Sequence, residues 1–413
     1  MELFSVQSFF LGFFRVLLDS SFLWLPAILG YLLWKLWLYY IRLKFLGEME
    51  WAMLEIKFPR EIPKSPRAME MILNVLHLQR RDGNFVDKYW KGVLRPWFSL
   101  EVASFGGQIH FYLYIPKGIK KLVESQIYAQ YPDIELEQVD DYTLAVARGD
   151  KENLKFYAGE YILEKEDAYP IRTYIDYGLD NLAAEEEQKT DPMTSLLELM
   201  GSLKAGEQIW FQILIRSTKT KWKDAGAKLV EKMMKRDQKE EDSFSSLMLS
   251  PGERIVLEAI ERNVSKLGFD TCVRVAYLAE KDLFNRAMPH VITGAMTQYN
   301  AHNLNGFKRI NATAYVNYLL RESRESARER RMFAAYCQRA AFYIPVSYSR
   351  KTYVLNTEEL ATIYHFPVPR RAVRGKSVVN EDYSQNIHLV AGFFFAAVFF
   401  LVAGFSGASG KFS

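Results

Sequence analysis

The sequence predicts an α+β protein with an N-terminal transmembrane helix, two ferredoxin-like (split β-α-β) cytoplasmic units and a C-terminal hydrophobic helix. Three observations lead to this prediction. Apolar residues are concentrated near both ends of the chain, while the middle alternates between strand-like and helix-like patterns. Hydrophobic residues make up 49% of the 413 residues, enough to bury a core. The length suits about two or three domains.

The N-terminal helix is predicted from residues 22–41, FLWLPAILGYLLWKLWLYYI, in which Lys35 is the only charge. About 20 apolar residues at 1.5 Å each cross the ~30 Å hydrocarbon core of a bilayer. A cleaved signal peptide is the alternative. It would have a shorter apolar region after positive charge, whereas Glu2 and Asp19 precede this run. We therefore predict a membrane anchor over residues 1–44.

The C-terminal helix is predicted from residues 389–405, LVAGFFFAAVFFLVAGF, a run of seventeen residues without a charge. This length is near the lower limit for crossing a bilayer, so a membrane helix competes with a re-entrant or interfacial segment. A buried core helix is disfavoured because the run has no polar face to meet solvent. We assign residues 386–413 to a C-terminal membrane helix and residues 368–385 to a basic membrane-proximal segment.

The basic residues beside the two apolar runs predict the orientation. The positive-inside rule places clusters of Lys and Arg on the cytoplasmic side of a membrane. Both inner flanks are basic, so we expect the body in the cytoplasm, both termini facing outward, and the protein in the inner (plasma) membrane. The residues expected to contact anionic lipid are Arg42, Lys44, Arg370, Arg371, Arg374 and Lys376.

Residues 45–178 predict the first α+β domain, with the element order β-α-β-β-α-β of a ferredoxin-like unit. Gly106-Gly107 is a strong hairpin signal between its two central strands. Helical patterns begin at Ser65 and Lys117. The strand-like runs cover residues 50–59, 97–105, 108–115 and 133–139, and two further β-like runs, KFYAGEYIL and IRTYIDYGL, follow from residue 154 onward.

Residues 179–206 predict a linker with a short helix, and residues 207–367 predict the second α+β domain. Three consecutive glutamates at residues 185–187 suit a solvated linker. The second domain alternates again, with strands at 208–216, 271–278 and 343–355, and helices at 222–235, after Ser250 and at 281–299. The similar element order suggests that the two domains arose by duplication.

The sequence contains no motif that predicts catalysis, cofactor binding or metal binding. Gly375-Lys376-Ser377 resembles the end of a phosphate-binding loop, but Arg370 stands where that loop needs its first glycine. The six histidines include no pair at metal-ligand spacing, and two cysteines are too few for a Cys₄ metal site. Asp140-Asp141 is expected to form a turn. We therefore expect a non-enzymatic protein without a cofactor.

The run RESRESARERR at residues 321–331 is the strongest candidate for a partner-binding face. It predicts a helix with five arginines and three glutamates. One interpretation is a solvated helix with salt bridges at i,i+3 and i,i+4 spacing. The alternative is a basic face that contacts anionic lipid headgroups or nucleic acid, but no aromatic residues alternate with the arginines, so nucleic acid is not an expected partner. The candidate contact residues are Arg321, Arg324, Arg328, Arg330 and Arg331.

Several longer segments resemble one protein family. They are Trp51–Ile72, Phe98–Leu136, Thr190–Arg216, Phe284–Lys308 and Val354–Pro367. In these segments the chain is similar to the membrane-anchored, non-ATPase region of bacterial conjugation or type IV secretion-type ATPases, which also occurs as a separate membrane protein. The resemblance covers residues 20–367. In full-length relatives an ATPase domain would follow, whereas here a basic stretch and an apolar run follow. The resemblance therefore implies no nucleotide-binding residue in this chain.

Together these observations predict a non-enzymatic, membrane-anchored platform. Its cytoplasmic body would dock a secretion-type ATPase or another component of a conjugation or secretion machine. The expected partners are the lipid bilayer and that protein, and the platform can itself be a homo-oligomer. Two alternatives stay open: an enzyme that acts on lipid or nucleotide at the membrane surface, and a nucleic-acid-handling module that uses the Arg321–Arg331 face.

Overall fold

The structure is a computed structural model that describes residues 15, 18–58, 64–78, 84–148, 153–180, 190–218, 221–236, 250–313, 321–343 and 352–366. The predicted basic segment (368–385) and C-terminal helix (386–413) lie outside these residues. The same holds for four of the residues expected to contact lipid, which are Arg370, Arg371, Arg374 and Lys376.

One antiparallel sheet forms the centre of the body. Its strands are β1 (Trp51–Lys57), β2 (Phe98–Phe105), β3 (Gln108–Pro116), β4 (Glu135–Val139), β5 (Leu154–Leu163), β6 (Glu207–Ser217), β7 (Gly268–Glu280), β8 (Phe307–Ile310) and β9 (Tyr353–Asn356). The strand order is β4-β1-β3-β2-β6-β7-β5-β8, and β9 also pairs with β7. Every pairing between these strands is antiparallel.

The helices lie before, between and after the strands. They are α1 (Ser21–Glu48), α2 (Arg67–Leu76), α3 (Phe85–Tyr89), α4 (Lys120–Gln130), α5 (Tyr142–Arg148), α6 (Met193–Gly201), α7 (Lys221–Arg236), α8 (Pro251–Ser265), α9 (Met288–Met296), α10 (Arg321–Cys337) and α11 (Thr357–Ile363). The combination of one large antiparallel sheet with these helices confirms the predicted α+β class, and α1 confirms the predicted N-terminal apolar helix.

Helices cover both faces of the sheet. The main core lies on one face, where α2, α4, α6, α9 and α11 pack their apolar stripes against the strands; representative contacts are Leu73, Ile127, Met200, Ile292 and Leu360. On the other face, α10 and α5 pack through Met332, Tyr336 and Tyr142. Strand β6 is therefore buried on both sides, which explains why it reads as a nearly continuous apolar run.

The register of the sheet is symmetric about its centre. Glu101 of β2 lies opposite Gln212 of β6. On one side of this pair, Tyr112 of β3 lies opposite Glu101. On the other side, Arg274 of β7 lies opposite Gln212. The next strands, β1 and β5, continue the same row on the two sides with Glu55 and Glu160. The order β4-β1-β3-β2 is thus mirrored by β8-β5-β7-β6, while the ferredoxin-like assignment of each half stays a prediction.

Local sequence signals account for several element boundaries. Gly106 and Gly107 both have positive φ, which forms the predicted tight hairpin between β2 and β3. Helix α8 begins at the predicted position because the Ser250 hydroxyl accepts a hydrogen bond from the Glu253 amide and the Glu253 carboxylate accepts one from the Ser250 amide.

The structure corrects one sequence-based expectation about local structure and adds detail to two others. The run IRTYIDYGL is a series of turns, because the Asp176 carboxylate accepts from the Thr173 amide and holds the backbone in a loop. Of the strand expected at 343–355, the described residues show the short β9 from Tyr353, and residues 344–351 lie outside the described part of the chain. Asp141 stands at the start of α5, where its carboxylate accepts from the Thr143 amide at 2.9 Å and also from the Arg339 guanidinium at 3.0 Å.

The predicted domain boundary between residues 178 and 179 stays a prediction. Strand β5 comes before this boundary in the sequence, yet it pairs with β7 and β8, which come after it. The linker predicted at 179–206 contains the short helix α6, as expected, and this helix packs into the main core through Met193, Leu196 and Met200.

Candidate functional site

Helix α1 is apolar and almost entirely exposed. It spans 28 residues, and none of its most apolar window is buried in the described protein. Phe22 is 72% exposed and Leu33 69%, which is unusual for large apolar side chains in an aqueous environment. The helix is long and apolar enough to cross a membrane, and a signal sequence would share these properties.

The C-terminal part of α1 is attached to the body at α3 and the loop that follows it. The Trp37 indole donates a hydrogen bond of 2.9 Å to the carbonyl of Tyr89. Ile41 is buried, and its carbonyl oxygen would lie 2.5 Å from a Cβ at position 92. Gly92 also has φ +64°, so both its conformation and its close approach to α1 require glycine.

The two described residues expected to contact lipid lie beyond this attachment. Arg42 is half-buried and Lys44 is exposed on the last turns of α1. Lys44 is therefore available to a lipid headgroup or to solvent, whereas the body covers part of Arg42.

A buried ionic cluster lies at the centre of the sheet beneath α10. The Arg339 guanidinium donates to both carboxylate oxygens of Glu101, at 3.0 and 3.2 Å, and to Asp141 at 3.0 Å. Ser99, Tyr142 and Gln212 add three further hydrogen bonds to Glu101. Burial opposes the charge on Arg339, but Glu101 and Asp141 outweigh this effect and hold its guanidinium pKa well above the usual value.

A second buried ion pair lies beside the first. Arg274 of β7 donates through Nε to Glu160 of β5 at 2.9 Å, and the Asn311 amide donates to the other Glu160 oxygen at 2.6 Å. Both charged side chains are almost completely buried. Such a pair is stable in a core only when its remaining donors and acceptors also form hydrogen bonds. The other guanidinium nitrogens of Arg274 donate to backbone carbonyls at the end of α10 and just after it.

Side chains from the sheet bind the last turn of α10. The final carbonyl groups of a helix have no partner within the helix and carry partial negative charge. Here Arg274 donates to the Ala335 carbonyl at 3.2 Å and Gln212 donates to that of Tyr336 at 3.2 Å. Arg339, which follows the end of α10 and lies outside the sheet, donates to the carbonyl of Cys337 at 2.9 Å. The central polar row of the sheet therefore fixes the C-terminal end of α10 in position.

The N-terminal half of α10 carries the arginines singled out in the sequence. Arg324, Arg330 and Arg331 are exposed. Arg328 is half-buried and donates to the Ala312 carbonyl at 2.9 Å, which directs it toward the body. For Arg321 only the backbone, at the start of α10, is described. The exposed basic face of the described helix is therefore narrower than the five predicted residues.

A cavity of about 230 Å³ lies between the C-terminal end of α1 and the body. Its wall is mainly aromatic, formed by Trp51, Trp97, Tyr114, Phe342 and Tyr343. Trp51 and Tyr114 stack with ring centroids 4.9 Å apart, and the Arg339 guanidinium lies 4.1 Å above the Tyr114 ring. Because this arginine is already paired with Glu101 and Asp141, the cavity presents an apolar surface rather than a reactive charge.

No group of three or more His, Cys, Asp and Glu side chains that could hold a metal ion occurs within the described residues.

The polar residues that form the centre of the sheet were not predicted from the sequence. A signal for them was present, because Glu101, Gln212 and Arg274 each interrupt an apolar strand, and a lone polar residue in a buried strand needs a partner.

The sequence matches one family model over most of its length. A search of curated proteins finds no match to the chain. Residues 44–375 match the model described as Domain of unknown function (DUF8128). This match begins within the C-terminal part of α1, so it covers the body described above. The resemblance to secretion-type ATPases gains no support from it and stays a prediction. The chain belongs to the DUF8128 family.

Proposed function

We propose that this protein is a non-enzymatic platform that α1 anchors in the inner (plasma) membrane. Its body lies in the cytoplasm and docks a protein partner, which the sequence resemblance suggests is a secretion-type ATPase or another component of a conjugation or secretion machine. The observation that carries this proposal is the exposed apolar surface of α1, which is joined to the body by specific contacts at Trp37 and Gly92. A bilayer would cover that surface.

The arrangement of charged groups supports a structural role for the centre of the body. The buried carboxylates of Glu101 and Glu160 are each bound by an arginine and by further hydrogen-bond donors. Catalytic acids and bases must instead reach a substrate from a cleft. These groups serve to hold α10 against the sheet.

We further propose that the body consists of two related ferredoxin-like units. Support comes from the strand orders β4-β1-β3-β2 and β8-β5-β7-β6, from the antiparallel pairing throughout, and from the register centred on Glu101 and Gln212. In the second unit α7 and α8 lie between β6 and β7 along the chain. In the first unit the corresponding strands, β2 and β3, are joined by the tight hairpin.

Helix α10 is the proposed docking face for the partner. Its inner side is fixed to the sheet, and its outer side presents Arg324, Arg330 and Arg331. A positively charged helix on a rigid support suits an acidic protein surface, because complementary charge increases the association rate and selects the partner.

Site-specific photocrosslinking tests the docking face. We expect benzoylphenylalanine at Arg330, in the full chain in its native membrane, to form an adduct that mass spectrometry identifies as an ATPase. Benzoylphenylalanine at Met71, which is exposed on α2 across the sheet, is the matched control. The double variant Arg324→Glu/Arg331→Glu should reduce the adduct about ten-fold, a change of about 1.4 kcal/mol. Equal adducts at both positions, or none at Arg330, would contradict the proposed face.

Membrane extraction tests the anchor. Arginine at the centre of a membrane helix costs about 2.5–3.5 kcal/mol per residue, so Leu25→Arg/Leu29→Arg should release the protein into the soluble fraction at alkaline pH. The matched variant Leu25→Ala/Leu29→Ala should stay in the membrane. The intact mass of the purified chain must include α1; a mass that lacks it would identify α1 as a signal sequence and overturn the proposed anchor.

A further inference from the structure

Helix α3 exposes large apolar side chains beside α1. Phe85 is 64% exposed and Val86 53%, and Trp90, the residue after α3, is 55% exposed. The helix has only five residues, so its own hydrogen bonds cannot explain why it stays folded with this surface in contact with water. An exposed group of apolar side chains on a short helix instead marks a contact surface.

This surface is continuous with α1. The ring of Trp34 lies 5.6 Å from that of Tyr89 and 6.5 Å from that of Trp90. Trp37 lies 6.5 Å from Trp90, and Phe85 lies 4.6 Å from Tyr89. The five rings form a cluster between the two helices, which we call the aromatic junction (Trp34, Trp37, Phe85, Tyr89 and Trp90).

The charges around the aromatic junction are those of a membrane interface. Lys88 and Lys91 are exposed, and Lys91 pairs with Asp87 at 3.0 Å. On α1, the ammonium of Lys35 lies 5.3 Å from the ring of Tyr31. Tryptophan, tyrosine and lysine are enriched where a bilayer meets water, because each has an apolar body and a polar end.

The geometry of the junction conflicts with a hydrocarbon core that ends at Ile41. Trp34 precedes Ile41 by seven residues, or about 10 Å along a helix. With the boundary at Ile41, α3 would lie about 10 Å inside the hydrocarbon, together with Lys88 and Asp87. Each such charge costs up to about 3 kcal/mol at that depth, and the polar backbone of the loop adds to the cost.

We propose that α3 is a second, interfacial membrane contact and that the boundary of the hydrocarbon core lies at Trp34–Trp37. The headgroup layer, about 5–8 Å thick, then holds α3 with Phe85, Val86 and Trp90 directed into the bilayer. The hydrocarbon is then crossed by the described residues 18–37, about 30 Å at 1.5 Å per residue, and Asp19 lies at its far boundary. This inference rests on the proposed anchoring of α1, and it makes the membrane a docking surface for the body as well as for the helix.

Depth-dependent fluorescence quenching tests this placement. The full chain, in a Cys337→Ser background, is reconstituted into vesicles of phosphatidylcholine and phosphatidylglycerol, with the environment-sensitive dye NBD attached at Val86→Cys. Spin labels are placed at shallow or deep positions of the lipid chains. We expect shallow labels to quench NBD at position 86 about two-fold or more, and deep labels to quench it less, as for an interfacial helix. NBD at Met71→Cys should not be quenched by either.

The control at Leu29→Cys separates the two proposals. Deep labels should quench NBD at position 29 if α1 spans the bilayer. Quenching at position 29 without quenching at position 86 would overturn the interfacial role of α3 and leave the anchor intact. Dye at position 86 that is shielded from water but insensitive to lipid labels would identify a protein contact and also overturn it. The absence of quenching at both positions would overturn the anchor itself.

The double variant Phe85→Gln/Val86→Gln provides an independent measurement. Both side chains are exposed, so the folded body should keep its thermal midpoint. NBD at Lys88→Cys should then lose its quenching by shallow labels relative to the same dye in the unaltered helix. Quenching that is unchanged by this double variant would contradict the insertion of α3 into the interface.

Discussion

Replacing Arg339 by methionine tests whether the buried ionic cluster holds α10 on the sheet. Methionine keeps much of the side-chain length but removes the donors to Glu101, Asp141 and the Cys337 carbonyl. The Glu101 carboxylate is fully buried, so without Arg339 its charge has no cation within the cluster. The three remaining donors, which include Tyr142, compensate only in part.

The expected loss of stability is about 3–5 kcal/mol, the range found when one partner of a buried pair is removed. Most of this loss is expected from the contact with Glu101, because its side chain is fully buried. The contact with Asp141 should contribute less, because part of the Asp141 side chain reaches solvent. Glu101→Gln in the same chain removes the buried charge, so the double variant should recover about 2 kcal/mol or more.

Urea unfolding of the full chain in mild detergent measures these differences. The chain has eight tryptophans, so far-ultraviolet circular dichroism, rather than fluorescence, follows the loss of the helices and the sheet. The matched control is Lys57→Met, which removes a solvent-exposed pair with Glu137 and should cost about 1 kcal/mol or less. An Arg339→Met variant that costs no more than this control would refute the reasoning, as would a double variant without recovery.

Three further substitutions give distinct expected outcomes. Gly92→Ala should loosen the attachment of α1 without unfolding the sheet, because its Cβ would meet the Ile41 carbonyl; hydrogen exchange should rise between residues 84 and 95, and unchanged exchange would contradict this. Burial raises the pKa of Glu359 to about 8 from 4.5, so the folded protein retains a proton that the unfolded chain releases, and stability should fall by at most about 5 kcal/mol as pH rises from 4.5 to 8. Glu359→Gln should flatten that fall, and a slope equal to that of the unaltered chain would assign it to other groups. Trp210→Ala should cost about 3–5 kcal/mol in urea unfolding, measured by circular dichroism, and a cost near 1 kcal/mol would mean that the site collapses around the smaller side chain.

The sequence predicts elements whose signals are local. The paired glycines at 106 and 107 specify the β2–β3 hairpin through their backbone conformation, and the apolar spacing of Met69, Ile72 and Leu73 specifies α2. Both signals lie within a few residues of the structure that they produce, so no knowledge of the tertiary contacts is needed.

The polar centre of the sheet could not be predicted in the same way. Glu101 and Arg339 are 238 positions apart in the chain, and neither residue indicates the identity of its partner. Only the strand order brings β2 next to β6 and places the end of α10 above both. The run that was assigned as a strand at 171–179 failed for a different, local reason, since the hydrogen bond that the Asp176 carboxylate accepts from the Thr173 amide overrides its β-like composition.

The exposed arginines of α10 show how far the candidate site could be predicted from the sequence. Their positions in a helix follow from the sequence, but the orientation of that helix is fixed by Arg274 and Gln212 on distant strands. The contact of Arg328 with the Ala312 carbonyl, which reduces the basic face, depends on that orientation and has no signature in the run itself.

The meeting of β2 and β6 at the centre of the sheet also determines what each half could do alone. Separated, either half would expose a long and largely apolar edge strand, the kind that pairs with a strand of another chain. In the intact body the outer strands are less prone to pair with another chain, because β4 carries Glu135 and Glu137 and β8 has only four residues. A fragment that ends before β5 would therefore tend to associate with a second copy of itself through β2, reproducing between chains the contact that the full-length protein makes within one.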